Sequence, residues 1–266
     1  MKTLLTGSQG FIGKHLMKEL RNVKTYDIKD GQDIRDHKKI FEAMKGIEEV
    51  YHFAALADID KAWYKPSKTV IMNVVGTCNV LEAARLNGVK RFIFASSLYA
   101  DSDKGGLYGA TKNMGELLVK SYSQYCGMEY VILRFGTIYG PQSGEDNSIR
   151  RLLKQALTRR INYHGTGDEV REYIHVRDVA RIIANLNDYR NDTLMITGSQ
   201  RIKLKDVLSM IEEITETKVK YSQKKSLSHY NQVSQSYKRE PIRRVFPKEP
   251  EDFGNSLVEI LEEIDG

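Results

Sequence analysis

Cysteine is almost absent from this 266-residue chain, and its two examples, Cys78 and Cys126, stand far apart and unclustered. That excludes a disulfide framework and cysteine-based metal spacing, and it fits a reducing, cytoplasmic compartment. No metal is expected. Proline is scarce at 5 residues and the 20 glycines follow no repeat, which excludes collagen-like and low-complexity chains. Apolar residues make up 41%, too many for a disordered chain. No apolar run approaches the roughly 18 residues needed to cross a bilayer, so no membrane partner is expected. The start, Met1-Lys-Thr-Leu-Leu-Thr-Gly7, meets Gly7 and Gln9 before any apolar stretch of signal-peptide length.

A large excess of one charge is missing as well. The net charge of +6 rests on one stretch: residues 201–248 hold 12 Lys/Arg against 5 Asp/Glu. Such a surplus attracts phosphates, on a polymer or on a small ligand, or is simply a solvated face. Charge alone therefore assigns no nucleic-acid partner.

What is present is alternation. Lys2–Thr6, Val23–Asp27, Glu49–Ala55, Arg91–Ser96 and Tyr130–Phe135 read as short apolar strands. Between them lie helical spacings over Phe11–Arg21, Lys38–Met44, a long helix from Pro66 to Leu86, and Tyr108–Cys126. This rhythm predicts right-handed crossovers and a doubly wound parallel α/β sheet covered on both faces. After Gly140-Pro141 the pattern loosens into helices at Ile149–Arg160, Val176–Leu186, Leu204–Thr215 and Ser256–Ile264, with extended segments at Arg171–His175 and Thr193–Thr197. The second half is expected to cap the sheet and return one strand to it.

The strongest local signal is Thr6-Gly-Ser-Gln-Gly-Phe-Ile-Gly13. Gly7, Gly10 and Gly13 recur every third residue between a strand and a helix, where backbone N–H groups and a helix N-terminus approach a pyrophosphate. Asp27 closes the second strand 20 residues after Gly7, the place where a carboxylate bonds an adenosine ribose. A carboxylate there repels a ribose 2′-phosphate and favours NAD over NADP, although Lys29 and Arg35 lie close by in sequence.

Tyr108-Gly-Ala-Thr-Lys112 sets a phenol and an ammonium four residues apart on one helix face. A phenol with its ordinary pKa near 10 is a poor base at neutral pH. A nearby Lys⁺ and a cationic nicotinamide favour the phenolate, and a shift of about 3 units corresponds to about 4 kcal/mol. Ser96 and Ser97 end the preceding strand at the carboxyl edge of the sheet, where open α/β sheets bind ligands. A hydroxyl there bonds the same substrate oxygen that Tyr108 deprotonates.

With these segments stand Asp33-Ile34, His52-Phe-Ala-Ala55, Asn73-Val-Val-Gly-Thr77, Leu133-Arg-Phe-Gly-Thr-Ile-Tyr-Gly-Pro141 and Gly167-Asp-Glu-Val-Arg-Glu-Tyr-Ile-His-Val-Arg-Asp178. In this order and spacing the chain resembles the extended short-chain dehydrogenases/reductases, in their NAD-dependent nucleotide-sugar epimerase/dehydratase branch. The resemblance implies a Rossmann-type dinucleotide-binding part over 1–140 and 176–200, and a smaller α/β substrate-binding part over 141–175 and 201–266. It implies that Gly7, Gly10, Phe11, Ile12 and Gly13 form the pyrophosphate turn. Asp27 then contacts the ribose, and Asp33 and Ile34 the adenine. Phe53, Ala54, Ala55, Ala57 and Asn73 line the cofactor. Ser97, Tyr108 and Lys112 match the catalytic triad, with Tyr108 and Lys112 also touching NAD. Ser97, Thr137 and Arg171 are the implied substrate contacts, Arg171 on the diphosphate. A homodimer is implied through the helices near 66–87 and 107–126.

The chain also departs from the family pattern. Only five residues separate Asp27 from Asp33, so one sheet strand is expected to be missing. Leu98-Tyr99 stand where the dehydratases carry an Asp-Glu pair after the hydroxyl residue, which argues against water elimination. The resemblance thus points to a 4-epimerase on a UDP-hexose. A 4-ketoreductase using NADPH, and an RNA- or nucleotide-binding module without turnover, are the alternatives. Arg243 and Arg244 are candidates for a diphosphate contact.

Overall fold

A computed structural model of the chain describes residues 1–102, 104–222 and 242–266. Strand β1 (Thr3–Thr6) is wholly buried and ends in the glycine turn that launches α1 (Phe11–Glu19). Strand β2 (Val23–Tyr26) leads to a 3-10 turn (Ile28–Asp30) capped by Asp27, then to α2 (His37–Ala43), capped by Asp36. Strand β3 (Glu49–His52) is followed by α3 (Ile59–Tyr64) and α4 (Pro66–Val70), with Pro66 in the first turn where its missing N–H costs nothing. Residues Ile71–Val75 are π-helical and run on into α5 (Gly76–Leu86). Next come β4 (Arg91–Ser97), a 3-10 turn (Leu98–Asp101), the long α6 (Gly106–Cys126) and β5 (Glu129–Phe135). The remainder comprises β6 (Thr137–Tyr139), α7 (Ser148–Leu157), β7 (Ile161–His164), β8 (Val170–His175) and α8 (Val176–Ala184). Then follow β9 (Asp192–Ile196), β10 (Arg201–Lys203), α9 (Leu204–Thr215), β11 (Val219–Ser222), β12 (Arg243–Val245) and α10 (Phe253–Asp265).

The chain divides into two compact units. One contains Met1–Phe135, Ala180–Ile196 and the described residues of Tyr237–Val245. The other contains Gly136–Val179, the described residues of Thr197–Ser236, and Phe246–Gly266. The first is built on a seven-stranded sheet in the order β12-β9-β5-β4-β3-β1-β2, parallel throughout. Every residue of β1, β3 and β4 is buried, which is why these strands read as near-continuous apolar runs. On one face Leu4, Val50, Phe92, Phe94 and Ile132 pack with Ile40, Val80, Leu81 and Val119 of α2, α5 and α6.

The doubly wound sheet is the one the alternation predicts, with one expected gap and two differences. The stretch from Asp27 to Asp33 forms only the 3-10 turn, and β2 is the sheet's edge. The second half returns two strands, β9 and β12, not one; Arg243-Arg-Val is too short and too charged to signal a strand by itself. The single helix expected from Pro66 to Leu86 contains the π-helical turn centred on Asn73.

The second unit has a three-stranded sheet, β10-β8-β6, and a two-stranded one, β11-β7. Its core joins Leu152, Leu153, Val207, Leu208, Leu257 and Ile260 from α7, α9 and α10. No helix among the described residues is long and apolar enough to cross a membrane. Among those residues there is also no group of three or more His, Cys, Asp or Glu able to hold a metal.

Candidate active site

The glycine turn is pressed onto the end of β3. Gly7 has φ +75, and a Cβ on it would lie 2.7 Å from Ala54 N and from Phe53 C; one on Gly13 would lie 2.2 Å from Gly7 O. Both contacts are with backbone, so neither residue tolerates a side chain. Gly10 begins α1 with no side-chain cap, which leaves the N–H groups of Phe11, Ile12 and Gly13 to meet an anion. This bare, tightly curved cradle fits a dinucleotide pyrophosphate.

Asp27 is buried beside the turn. Its carboxylate accepts from Gln9 N (2.8 Å) and Lys29 N (2.9 Å), and each oxygen keeps a lone pair for a ribose hydroxyl. The two cations near it in sequence are both engaged. Lys29 Nζ donates to Gln9 O (3.2 Å), and Arg35 forks onto Asp33, holding that carboxyl below the usual range. Ile34 turns its side chain into the core against Gly76, so only its backbone remains for a ligand. Phe53, Ala54 and Ala55 are half-buried where β3 ends, and Ala57 is exposed.

Strand β4 carries Ser97 to the carboxyl edge, and α6 carries Tyr108 and Lys112 one turn apart. The three meet. The Tyr108 phenol is buried and hydrogen-bonded to the Ser97 side chain. Lys112 Nζ lies 5.9 Å from the Tyr108 ring centroid and 5.2 Å from that of Phe94, and donates to Ala95 O at 2.7 Å. Burial pushes the phenol up to about 12, with Ser97 pulling the other way. Burial also pushes Lys112 down to about 8, with Glu116 opposing. In the protein alone, then, the phenol stands above its ordinary value, not below it as the Tyr/Lys spacing suggests. Lys112 points its charge at a carbonyl rather than at the phenol oxygen.

Two buried networks support these groups, and their pairings join residues far apart in sequence. In the first, Thr77 Oγ donates to Asn73 O (2.7 Å) and so accepts from His52 Nε2 (2.9 Å). His52 Nδ1 then accepts from Thr6 Oγ (2.7 Å), which accepts from Ala54 N (3.3 Å). This assigns the His52 tautomer, and burial holds the ring neutral with a pKa of about 3. Asn73 clamps Leu56 through both its amide atoms (2.8 and 3.0 Å) and reaches Thr111 Oγ (3.1 Å). Placed in a π-helical turn, it ties the loop after β3 to α6.

In the second network, Arg134 of β5 forks onto Glu116 of α6 (2.8 and 2.6 Å) and bonds Asp101 (3.2 Å). Ser96 Oγ donates to the same Glu116 at 2.5 Å. Glu116 extends the Tyr108–Lys112 face by one turn, and Arg134 is a charge set within the apolar run that ends at Phe135; those are the available clues.

Thr137 and Arg171 belong to the second unit, Thr137 opposite Tyr173 on β6 and Arg171 opposite Ile202 on β8. Arg243 is not where a diphosphate contact requires it. It sits beside Asp192 (3.6 Å) and over the Tyr189 ring (5.6 Å), at the amino end of β9 and away from the carboxyl edge. Much of the basic stretch, residues 223–241, lies outside the described residues.

A sequence model of the NAD dependent epimerase/dehydratase family matches residues 3–193. An uncharacterised UDP-glucose epimerase, YtcB, of Bacillus subtilis is 28% identical over 262 residues, covering 81% of this chain and 82% of its own. A UDP-glucuronate 4-epimerase of Thermodesulfobacterium geofontis is 30% identical over 220 residues, covering 77% and 68%. Among solved structures, MoeE5 in complex with UDP-glucose and NAD superposes with a TM-score of 0.82 at 25% identity, covering 100% of this chain and 99% of that one.

Proposed function

The chain belongs to the NAD-dependent epimerase/dehydratase family, and from that premise we propose a nucleotide-sugar 4-epimerase that acts on a UDP-hexose. The observation that carries the reading is the meeting of Ser97, Tyr108 and Lys112 at the carboxyl end of β4. NAD, when bound, would supply a reversible hydride acceptor for the sugar. Gly7, Gly10 and Gly13 leave room for its pyrophosphate, Asp27 would hold its ribose hydroxyls, and Lys112 would hold its nicotinamide ribose.

Tyr108 accepts the proton of the C4 hydroxyl and later returns it to the same oxygen, so the proton count is unchanged over a cycle. Ser97 bonds that oxygen and fixes its distance from the phenol. Lys112, charged at neutral pH, lies 5.9 Å from the phenol ring and turns to Ala95 O, so a cationic nicotinamide would have to offset the burial that raises the phenol's pKa. Arg171 holds the diphosphate and Thr137 the sugar, so binding energy far from C4 positions a ring that is still able to turn over.

Water elimination has less support. The Asp101 carboxylate, on the turn after Ser97, is held by Arg134, and Leu98 is buried. NADPH-dependent ketone reduction is disfavoured by the Asp27 carboxylate and by the engagement of Lys29 and Arg35.

The test uses the purified protein. NAD is expected to copurify, and UDP-glucose is expected to be converted to its C4 epimer. Tyr108→Phe should keep its fold and its NAD while turnover falls about 10²–10⁴-fold. Copurified NADP, or near-normal turnover in the variant, would sink the assignment.

Homodimerisation is the second part of the proposal. Ile71, Val75, Met114 and Leu117 are exposed on the π turn and on α6. A face built from two helices suits a two-fold, self-complementary contact with a second copy.

A further inference from the structure

We propose that Arg134 is a positioning residue, whose buried contacts with Asp101, Glu116 and, through Glu116, Ser96 set the distance between Ser97 and Tyr108. The proposal rests on the catalytic reading of Ser97 and Tyr108 given above. The Arg134, Glu116 and Asp101 side chains are 10%, 4% and 5% exposed. Ion pairs buried this deeply seldom stabilise a fold better than apolar packing would, because desolvation offsets the attraction. What they do supply is geometry, since a guanidinium presents its donors in a rigid plane.

Here that plane joins three elements, and each contact lies next to a member of the triad. Ser96, bonded to Glu116 Oε1, directly precedes Ser97. Asp101 closes the 3-10 turn that Ser97 itself caps, Ser97 Oγ accepting from Tyr99 N at 3.2 Å. Glu116 lies one turn beyond Lys112 and two beyond Tyr108 on α6. Apolar packing alone would let α6 roll or slide over β4, and the fork between Arg134 and Glu116 opposes both motions. The cluster holds two carboxylates against one guanidinium, and Lys112, one turn away on the same helix, is the nearby cation that Glu116 acts upon.

The experiment compares Arg134→Lys, Asp101→Asn, Ser97→Ala and the double variant Ser97→Ala/Arg134→Lys as NAD-loaded full-length protein, with UDP-glucose as the probe. Arg134→Lys keeps the charge and loses the fork. Asp101→Asn loosens one arm and serves if the lysine variant does not fold. Each is expected to keep NAD and leave KM within about twofold, while kcat falls ~10- to 100-fold, the size of a sub-ångström to ångström misplacement. The double variant should be no slower than Ser97→Ala alone, because a positioning effect has nothing left to position. Unchanged kcat in the folded single variants, or losses that multiply in the double, would overturn the proposal.

A second readout needs no substrate. Amide exchange in the Leu98–Asp101 turn and the first turns of α6 should quicken in Arg134→Lys and in Asp101→Asn; unchanged protection in both also overturns it. If Ser97→Ala runs at the wild-type rate, or the wild type leaves UDP-glucose untouched, the proposed function is what fails. The exchange result then still decides the role of Arg134.

Discussion

His52 has a hydrogen-bond partner on each ring nitrogen and no space for a second proton. Thr6 occupies Nδ1 and Thr77 occupies Nε2, and burial lowers the pKa from the ordinary 6.5 to about 3. Between those two values the unfolded chain binds a proton that the native state refuses. Stability from this residue is therefore fully present above pH 6.5 and is lost as pH falls through the window towards 3. His52→Gln keeps a polar side chain and removes the titration. At pH 7 the variant should be less stable by about 1–3 kcal/mol, since buried hydroxyls lose partners. On acidification below 6.5, its stability should fall less steeply than the wild type's, by up to about 1.4 kcal/mol per pH unit. Urea unfolding at several pH values measures both, and equal slopes would count against a buried neutral His52. Nothing in the run His52-Phe-Ala-Ala55 announces this role. Its partners stand 46 residues before and 25 after it, and only folding brings them together.

Helix α6 shows the same division between local and non-local information. Its period and the Tyr108/Lys112 spacing are local, so the helix and its inward face were legible. The partners that Glu116 finds on β4 and β5 were not, because they depend on strand register. Strands β1, β4 and β5 were readable as buried apolar runs, whereas β6, β10 and β12 have three residues each and carry no period. Gly115 offers a test of how tightly α6 is seated. Alanine there gains up to about 1 kcal/mol in helix propensity. Its Cβ, however, would lie 2.4 Å from the Phe94 ring. Phe94 is buried, stacked on His52 at 5.9 Å and covered by the Lys112 ammonium. With no room to give, the clash should outweigh propensity, and Gly115→Ala should lose about 1–3 kcal/mol net. Thermal unfolding with NAD present reads the sign directly. A stabilised variant would mean that Phe94 is freer to move than its neighbours suggest.

At the scale of the whole molecule, α6 has two opposed duties. Tyr108, Lys112, Glu116 and Val119 face inward, while Met114 and Leu117, 41% and 62% exposed, face out beside Ile71 and Val75, at 44% and 47%. Aliphatic side chains grouped this way on two adjoining helical segments lose solvent-exposed apolar area if a second copy covers them. Two-fold symmetry presents each side chain to the contact twice, so one charge introduced at Leu117 enters the interface twice. Wild-type protein at micromolar concentration should sediment as a dimer. Leu117→Glu should sediment as a monomer with unchanged secondary structure, because a desolvated carboxylate costs several kcal/mol and each 1.4 kcal/mol is about tenfold in the dissociation constant. Its NAD should remain bound, since the glycine turn and Asp27 lie in β1, α1 and the end of β2, away from this face. A wild-type chain that sediments as a monomer throughout that range would remove the dimer from the proposal and leave the chemistry of Tyr108 untouched.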